Sequence, residues 1–265
     1  MLVSVYVNEK PERLNQAFLS IWDQQKFKPT QIVLVKDGLL SAELDAEIKL
    51  WEAKLANILT IVDLPENVGL GAALNAGLKA CNYELIARMD TDDISLPIRF
   101  DKQVAFMQAR PDVAASSAAL EEWDEGLTNR IGKRALPVDP DHLERFAKRR
   151  SPLSHPVSIF RKSAVLRVGG YPPLRKAQDY GLWCLLLVNG YKLANLSDTL
   201  LKMRTGNDMY ARRGFEFLKH ELVLLKFQKS IGFLANFDFL LNCAVKTILR
   251  LSPIFLKKLA YRFLR

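Results

Sequence analysis

The chain has 265 residues and a mass of 30.1 kDa, enough for one sizeable core carrying an appendage. Hydrophobic residues make up 49% and charged residues 25%, which excludes a disordered, collagen-like or disulfide-framed chain. The net charge of +9 is lopsided: residues 211–265 hold 11 of the 38 basic and 3 of the 29 acidic residues, a net of +8, which leaves the body near neutral and excludes a nucleic-acid binder charged over its whole surface.

Residues 2–7 form a short β-branched run that reads as a buried strand, not as a signal peptide, because no basic residue precedes the apolar run. Pro11 then opens a helix with Leu14, Phe18, Ile21 and Trp22 on one face. A second strand over 31–35 ends on Lys36-Asp37-Gly38, and Ser41 caps a helix through Leu44, Ile48, Trp51 and Leu55. Residues 58–62 form a third strand, followed by a glycine-spaced loop at 67–71 and a helix containing Leu74 and Leu78. The fourth strand, 84–89, runs into Asp90, Asp92 and Asp93; Pro97 opens a helix toward Met107, and 113–117 resumes strand character. Beyond it, 120–150 reads as charged and loop-rich, 154–160 as a strand, and 167–171 as a Gly-Gly turn. Asp179 begins a Leu- and Trp-rich helix, 192–196 and 200–204 are two short strands, and everything from about Tyr210 is helical. Cys81, Cys184 and Cys243 lie far apart in apolar contexts and read as buried thiols of a reducing compartment. No uncharged stretch reaches the ~18 residues of a membrane span.

This alternation of strands and helices implies an α/β fold: a Rossmann-like, mainly parallel sheet with helices on both faces, plus a C-terminal helical extension. Ligands of such sheets bind beyond the carboxyl ends of the strands, which is where Asp37, the Asn67 loop and Asp90–Asp93 fall. Three carboxylates within four positions repel one another unless a cation or strong hydrogen bonds offset the charge. A hard divalent ion held by one or two of them and by a substrate diphosphate is one reading; an acidic turn that caps a helix is the other.

The ordered segments S-V-Y-V-N-E, V-L-V-K-D-G, E-N-V-G-L-G-A-A-L-N-A-G, A-R-M-D-T-D-D and A-Q-D-Y-G-L-W resemble family 2 glycosyltransferases of the GT-A fold, especially bacterial enzymes that build O-antigen, capsule and exopolysaccharide. The resemblance covers about residues 1–205. It implies a catalytic domain over 1–210, with a nucleotide-sugar half (1–118) and an acceptor half (119–210), followed by a basic amphipathic extension (211–265). It also implies that Val7, Asn8 and Glu9 wall the nucleotide pocket and that Asp37 hydrogen-bonds the base. Asn67, Gly69 and Asn75 would belong to the loop passing the nucleotide. Asp90 and Asp92 would contact the donor ribose and a Mn²⁺ or Mg²⁺ ion, with Arg88 or Lys36 near the diphosphate. Asp179 would be the general base of an inverting transfer. Gln178 stands where the family usually has an acid, and Leu74 where it commonly has a base. The processive signature Q-x-x-R-W is absent, which implies transfer of one sugar per acceptor.

His155, between the two halves, reads as a third metal ligand, an acceptor contact or a loop histidine bonded to backbone; Trp123 and Tyr171, in loop-rich stretches, are the better acceptor candidates, with Gln178 beside the base, whereas Trp183 is expected in the core. Lys258, Arg262 and Arg265 share one face of a final helix opened by Ser252-Pro253, with Phe255, Leu256, Leu259, Phe263 and Leu264 over much of the rest. That pattern has two readings, an interfacial helix on an anionic membrane surface, which is the one favoured, and a helical hairpin packed on the catalytic domain with a basic solvent face. The expected protein is thus cytoplasmic and peripheral on the inner face of the cell membrane, with a nucleotide-diphosphate sugar (a UDP-sugar) and a lipid-linked saccharide as partners and no nucleic acid. The rival readings are a nucleotidyltransferase, which the lack of an N-terminal Gly-rich loop with Lys disfavours, and a non-catalytic nucleotide-sugar-binding protein of the same fold.

Overall fold

The computed structural model describes residues 1–206 and 215–251. Strands β1 (Leu2–Val5), β2 (Ile32–Asp37) and β3 (Leu59–Leu64) form a three-stranded parallel sheet in the order β1-β2-β3. They alternate with helices α1 (Pro11–Ile21), α2 (Ala42–Leu55) and α3 (Leu70–Ala80). Every residue of a strand covered on both faces must be apolar, and the two faces of β2 divide cleanly. Ile32 and Leu34 pack with Leu14, Phe18 and Trp51 of α1 and α2, whereas Val33 and Val35 pack with Leu74 and Leu78 of α3. Ser41 caps α2 as expected, its hydroxyl accepting from Leu44 N–H at 3.3 Å.

The second half departs from the expected parallel order. β4 (Leu85–Ala87), β8 (Ile159–Arg161), β6 (Val113–Trp123), β9 (Lys192–Arg204) and β5 (Ile94–Ser95) lie side by side in that order, and β7 (Arg130–Arg134) pairs with β6. Only β6·β9 is parallel; β4·β8, β5·β9, β6·β7 and β6·β8 are antiparallel. A parallel bridge from Leu2 to Arg88 joins the two sheets edge to edge. The overall fold is the expected α/β type, with parallel pairing concentrated at its N-terminal side. Helices α4 (Arg99–Ala109), α5 (Pro140–Ala147), α6 (Lys162–Arg167) and α7 (Gln178–Val188) complete the body.

Three local differences have physical causes. The stretch expected as a strand over 154–160 opens as a 3₁₀ turn at His155–Val157, because Pro156 has no N–H for a ladder; the strand starts at Ile159. The two short strands expected over 192–204 are one strand, with register irregularities opposite Ala118–Leu120 where the expected gap lay. The charged stretch after 120 extends β6 to Trp123 and adds β7, held in part by Arg134 on Glu122 at 2.6 Å.

Helices α8 (Phe215–Ser230) and α9 (Asn236–Leu251) form a hairpin. Leu224 of α8 packs with Tyr180 and Cys184 of α7. The final helix expected from Ser252 lies outside the described residues. No described helix is long and apolar enough to cross a membrane.

Candidate active site

The carboxyl ends of β1, β2 and β4 open onto a cleft of about 440 Å³. Its lining includes Tyr6, Asn8, Glu9 and Arg13 from the β1–α1 connection, Asp37, Asn67 and Gly69 from the next two loops, and Asp90 and Asp92 after β4. A chain that leaves its sheet at the same edge each time collects its loops there, so residues 80 positions apart meet. Thr91 joins two of these loops by donating its hydroxyl to Glu9 Oε2 at 2.8 Å.

Asp37 is the organiser of the middle loop. It is buried, and its carboxylate accepts from Val68 N–H at 2.7 Å, Gly69 N–H at 3.1 Å and Asn67 Nδ2 at 3.2 Å. Those bonds fix the backbone that turns into α3, where Gly69 takes φ +85° as the residue before the helix. Asp37 thus braces the loop while still lining the cleft. Asn75 is re-assigned. It donates to Tyr171 C=O and accepts from Tyr171 N–H, both at 2.8 Å, and so clips α3 to the Gly-Gly turn. Gly170 makes the approach possible, since a Cβ there would lie 2.4 Å from Asn75 Oδ1.

Arg88 is 1% exposed and grips Asp90 with both terminal nitrogens. Burial alone would lower its pKa, but Asp90 in first place, with Tyr171 and Asp179, holds it above the usual value. It therefore positions Asp90 and does not line the cleft as a diphosphate ligand. Lys36 is committed elsewhere, to Asp45 at 2.8 Å and Asp63 at 2.9 Å. The basic group that lines the cleft is instead Arg13, within 3.4 Å of Glu125, and Arg204 at the end of β9 holds the adjoining acidic turn. Arg204 binds Asp92 C=O through Nη1, and its own N–H reaches Asp93 Oδ1 at 3.0 Å.

One carboxylate oxygen from each of Asp90, Asp92 and Asp93 lies within 4.8 Å of the other two. Burial, with Asp90 and Glu9 beside it, pushes Asp92 up to about 6. Asp93 is 1% exposed and is driven well above the usual carboxylate range by burial and its two neighbours. Its Oδ2 is buried with no hydrogen-bond partner. Hard oxygen donors, uncompensated negative charge and an orphaned carboxylate oxygen fit a divalent cation.

Asp179 stands in the first turn of α7, behind Ala177, whose left-handed backbone (φ 58°) turns the chain sharply into the helix. Its carboxyl is raised by burial and by Asp90, and partly relieved by the Tyr180 N–H and by Arg88. Arg88 thus acts electrostatically on both Asp90 and Asp179. Gln178 is buried, with its side chain against Gly71, where a Cβ would lie 3.2 Å away.

The expected acceptor contacts are mostly internal. His155 and Tyr171 are 7% and 3% exposed and bond to each other, Nε2 to hydroxyl, at 2.9 Å. Trp183 closes over the histidine at a centroid distance of 6.2 Å and lies in the core as expected. His155 is therefore neither a cleft wall nor part of the carboxylate cluster. Trp123 is half-buried, with Lys202 over its ring at 4.6 Å. Val7 is exposed outside the cleft, and Tyr6 lines it instead. Arg13 and Arg204 belong to none of the spaced motifs, whereas Tyr6 and Asp93 lie inside the segments S-V-Y-V-N-E and A-R-M-D-T-D-D beside the residues expected to act. That adjacency was the one available signal. A second cleft of about 420 Å³ lies between residues 67–72 and Pro172–Arg175, sharing the Asn67–Leu70 wall with the first.

Comparison with known proteins agrees with this architecture. The family model for glycosyl transferase family 2 matches residues 2–168. The amylovoran biosynthesis glycosyltransferase AmsE of Erwinia amylovora is 39% identical, over 98% of this chain and 97% of its own. An Escherichia coli UDP-Gal:alpha-D-GlcNAc-diphosphoundecaprenol beta-1,3-galactosyltransferase is 32% identical, over 96% of this chain and 91% of its own. Among solved structures, the mannosyltransferase PcManGT of Pyrobaculum calidifontis, in complex with GDP-Man and Mn²⁺, superposes with a TM-score of 0.66 at 19% identity. That match covers 95% of this chain and 70% of the other, and it bears on the fold alone.

Proposed function

The chain belongs to glycosyl transferase family 2 and has the GT-A fold, and from that premise we propose an inverting, divalent-metal-dependent transfer of a sugar from a UDP-sugar to a lipid-linked saccharide in bacterial surface-polysaccharide synthesis. The observation that carries this reading is the Asp90–Asp92–Asp93 cluster at the mouth of the donor cleft, with Asp179 coupled to it electrostatically. The UDP donor and the lipid diphosphate acceptor are supported by the name of the E. coli relative. Residues 1–118 form the donor half and 119–210 the acceptor half.

In this reading Tyr6, Asn8, Glu9 and the Asp37-braced loop hold the nucleoside. Asp92 and Asp93, with Asp90 fixed by Arg88, would hold Mn²⁺ or Mg²⁺. When bound, the ion neutralises the charge that develops on the departing diphosphate. Asp179 takes the proton of the acceptor hydroxyl as its oxygen bonds to the anomeric carbon, and the electron pair of the broken C–O bond leaves with the nucleoside diphosphate. Attack from the face opposite the leaving group inverts the anomeric centre. Arg13, beside the cluster, contributes positive charge on the diphosphate side.

The test is release of nucleoside diphosphate from a panel of UDP-sugars, with a lipid-diphosphate saccharide and Mn²⁺ or Mg²⁺. Release with one donor, abolished by a chelator and restored by metal, is expected. Turnover that persists in excess chelator sinks the metal assignment, and a retained anomeric configuration sinks the single-displacement one.

A further inference from the structure

Helix α9 is built inside out. Asp238, Asn242, Lys246 and Arg250 recur every four residues and face the protein. Asp238 pairs with Lys148 at 3.6 Å, and Asn242 Nδ2 donates to Lys148 C=O at 3.0 Å. Lys246 and Arg250 both bind Glu221 of α8, at 2.9 and 2.7 Å. Burial would raise the Glu221 carboxyl, but Arg250 and Lys246 hold it below its usual value. The opposite face carries Phe237 at 75% exposure, Leu240 at 64%, Leu241 at 39%, Val245 at 44% and Ile248 at 66%. A soluble surface helix has the reverse arrangement, with its apolar stripe inward. Here five directional polar contacts set the rotation of the helix, so its apolar stripe is turned outward by specific bonds.

We propose that this outward face of α9 docks into an anionic lipid bilayer, lying in the headgroup–acyl boundary. The proposal rests on the reading of a lipid-linked acceptor and deepens it by naming the surface that meets the membrane. Charge decides for lipid over a second protein copy. Lys226 of α8 is exposed, and its charge acts across the hairpin on the Cys243 thiol of α9. The 14 residues that follow α9 contain Lys257, Lys258, Arg262 and Arg265 and no acid. An apolar stripe continuous in sequence with a segment whose only charges are cationic complements anionic headgroups, whereas a second copy would bring like charges together.

The experiment uses the full chain and co-sedimentation with vesicles of phosphatidylglycerol and phosphatidylcholine, against phosphatidylcholine alone. Wild type is expected to bind the anionic vesicles and to lose binding as salt rises. The triple substitution Phe237→Ser, Leu240→Ser, Val245→Ser is expected to lower partitioning by about tenfold or more. Its thermal unfolding should match wild type, and so should nucleotide release with a detergent-solubilised acceptor. That release separates failure of the docking from failure of the catalytic reading. Because the triple variant could unfold, Leu240→Ser alone serves as a second reporter, with a smaller loss in the same direction. Four outcomes overturn the proposal: no binding by wild type, equal binding by wild type and the variants, equal binding to both lipid mixtures, or light scattering that shows a dimer converted to monomer by the substitutions.

Discussion

At the scale of single residues, the site is governed by how each carboxylate is compensated. Asp179 has a raised carboxyl because burial is only partly offset by the Tyr180 N–H and Arg88. A general base acts deprotonated, so kcat/KM should fall as pH drops through a pKa raised from the usual aspartate value. Asp179→Asn should lower kcat by about 10²–10⁴-fold with unchanged unfolding, measured by nucleotide release and thermal denaturation. Asp90 and Asp92 should separate in the opposite sense from a simple motif pair. Asp90→Ala strands the buried Arg88 charge and should cost roughly 3–5 kcal/mol in urea denaturation. Asp92 is raised to about 6, so the fold favours its protonated form, and its contribution to stability is lost as pH rises from 3.8 through 6. Asp92→Asn should therefore raise the melting temperature at pH 7 in chelator, with the gain vanishing below about pH 4. His155 has the reverse sign. Burial, with Arg88 nearby, keeps it neutral and well below 6.5, so stability is complete above 6.5 and declines as the unfolded chain takes up the proton below it. His155→Gln should flatten that acid slope in denaturant titrations at pH 5–7.

At the scale of elements, α3 fixes the donor loop by lying close on the sheet. A Cβ at Gly77 would sit 2.5 Å from Leu2 Cδ1 and 2.6 Å from Val35 Cγ2. Gly77→Ala lifts the helix from β1 and β2, and should cost about 1–3 kcal/mol in urea denaturation while raising KM for the donor. Most of these elements were legible, because period and punctuation are local: the apolar β2, Ser41 before α2 and Pro11 at the start of α1 each announce themselves. What was not legible was partner choice. Ile159–Arg161 pairs antiparallel with both β4 and β6, and no local signal in a three-residue Ile-Phe-Arg strand specifies which strands it will join. The strand breaks were misread where Pro156 and the β9 irregularities answer to neighbouring strands as well as to local composition.

At the scale of the molecule, a near-neutral catalytic body is joined to the helical hairpin through Lys148, which contacts Asp238 and Asn242 of α9, and through Leu224 of α8 against Tyr180 and Cys184, while Glu221 ties the two hairpin helices together. Glu221→Ala removes the common partner of Lys246 and Arg250, so α9 should lose hydrogen-exchange protection before the body does. The body's melting should move little, since its two main cores lie on either side of the sheet and include no residue of α9.

The sequence alone determined the α/β fold, the strand-end location of the site and the charge asymmetry, because each depends on period, order or count. Tertiary structure alone decided that Asp37 braces a loop, that His155 and Tyr171 are internal, that Arg13 lines the cleft while Arg204 bonds the Asp92–Asp93 turn, and that α9 turns its apolar side outward. Those facts depend on which groups a side chain meets across the fold. A residue's type sets what it can bond to; only the packed chain sets which of those bonds it makes, and so what remains for a ligand.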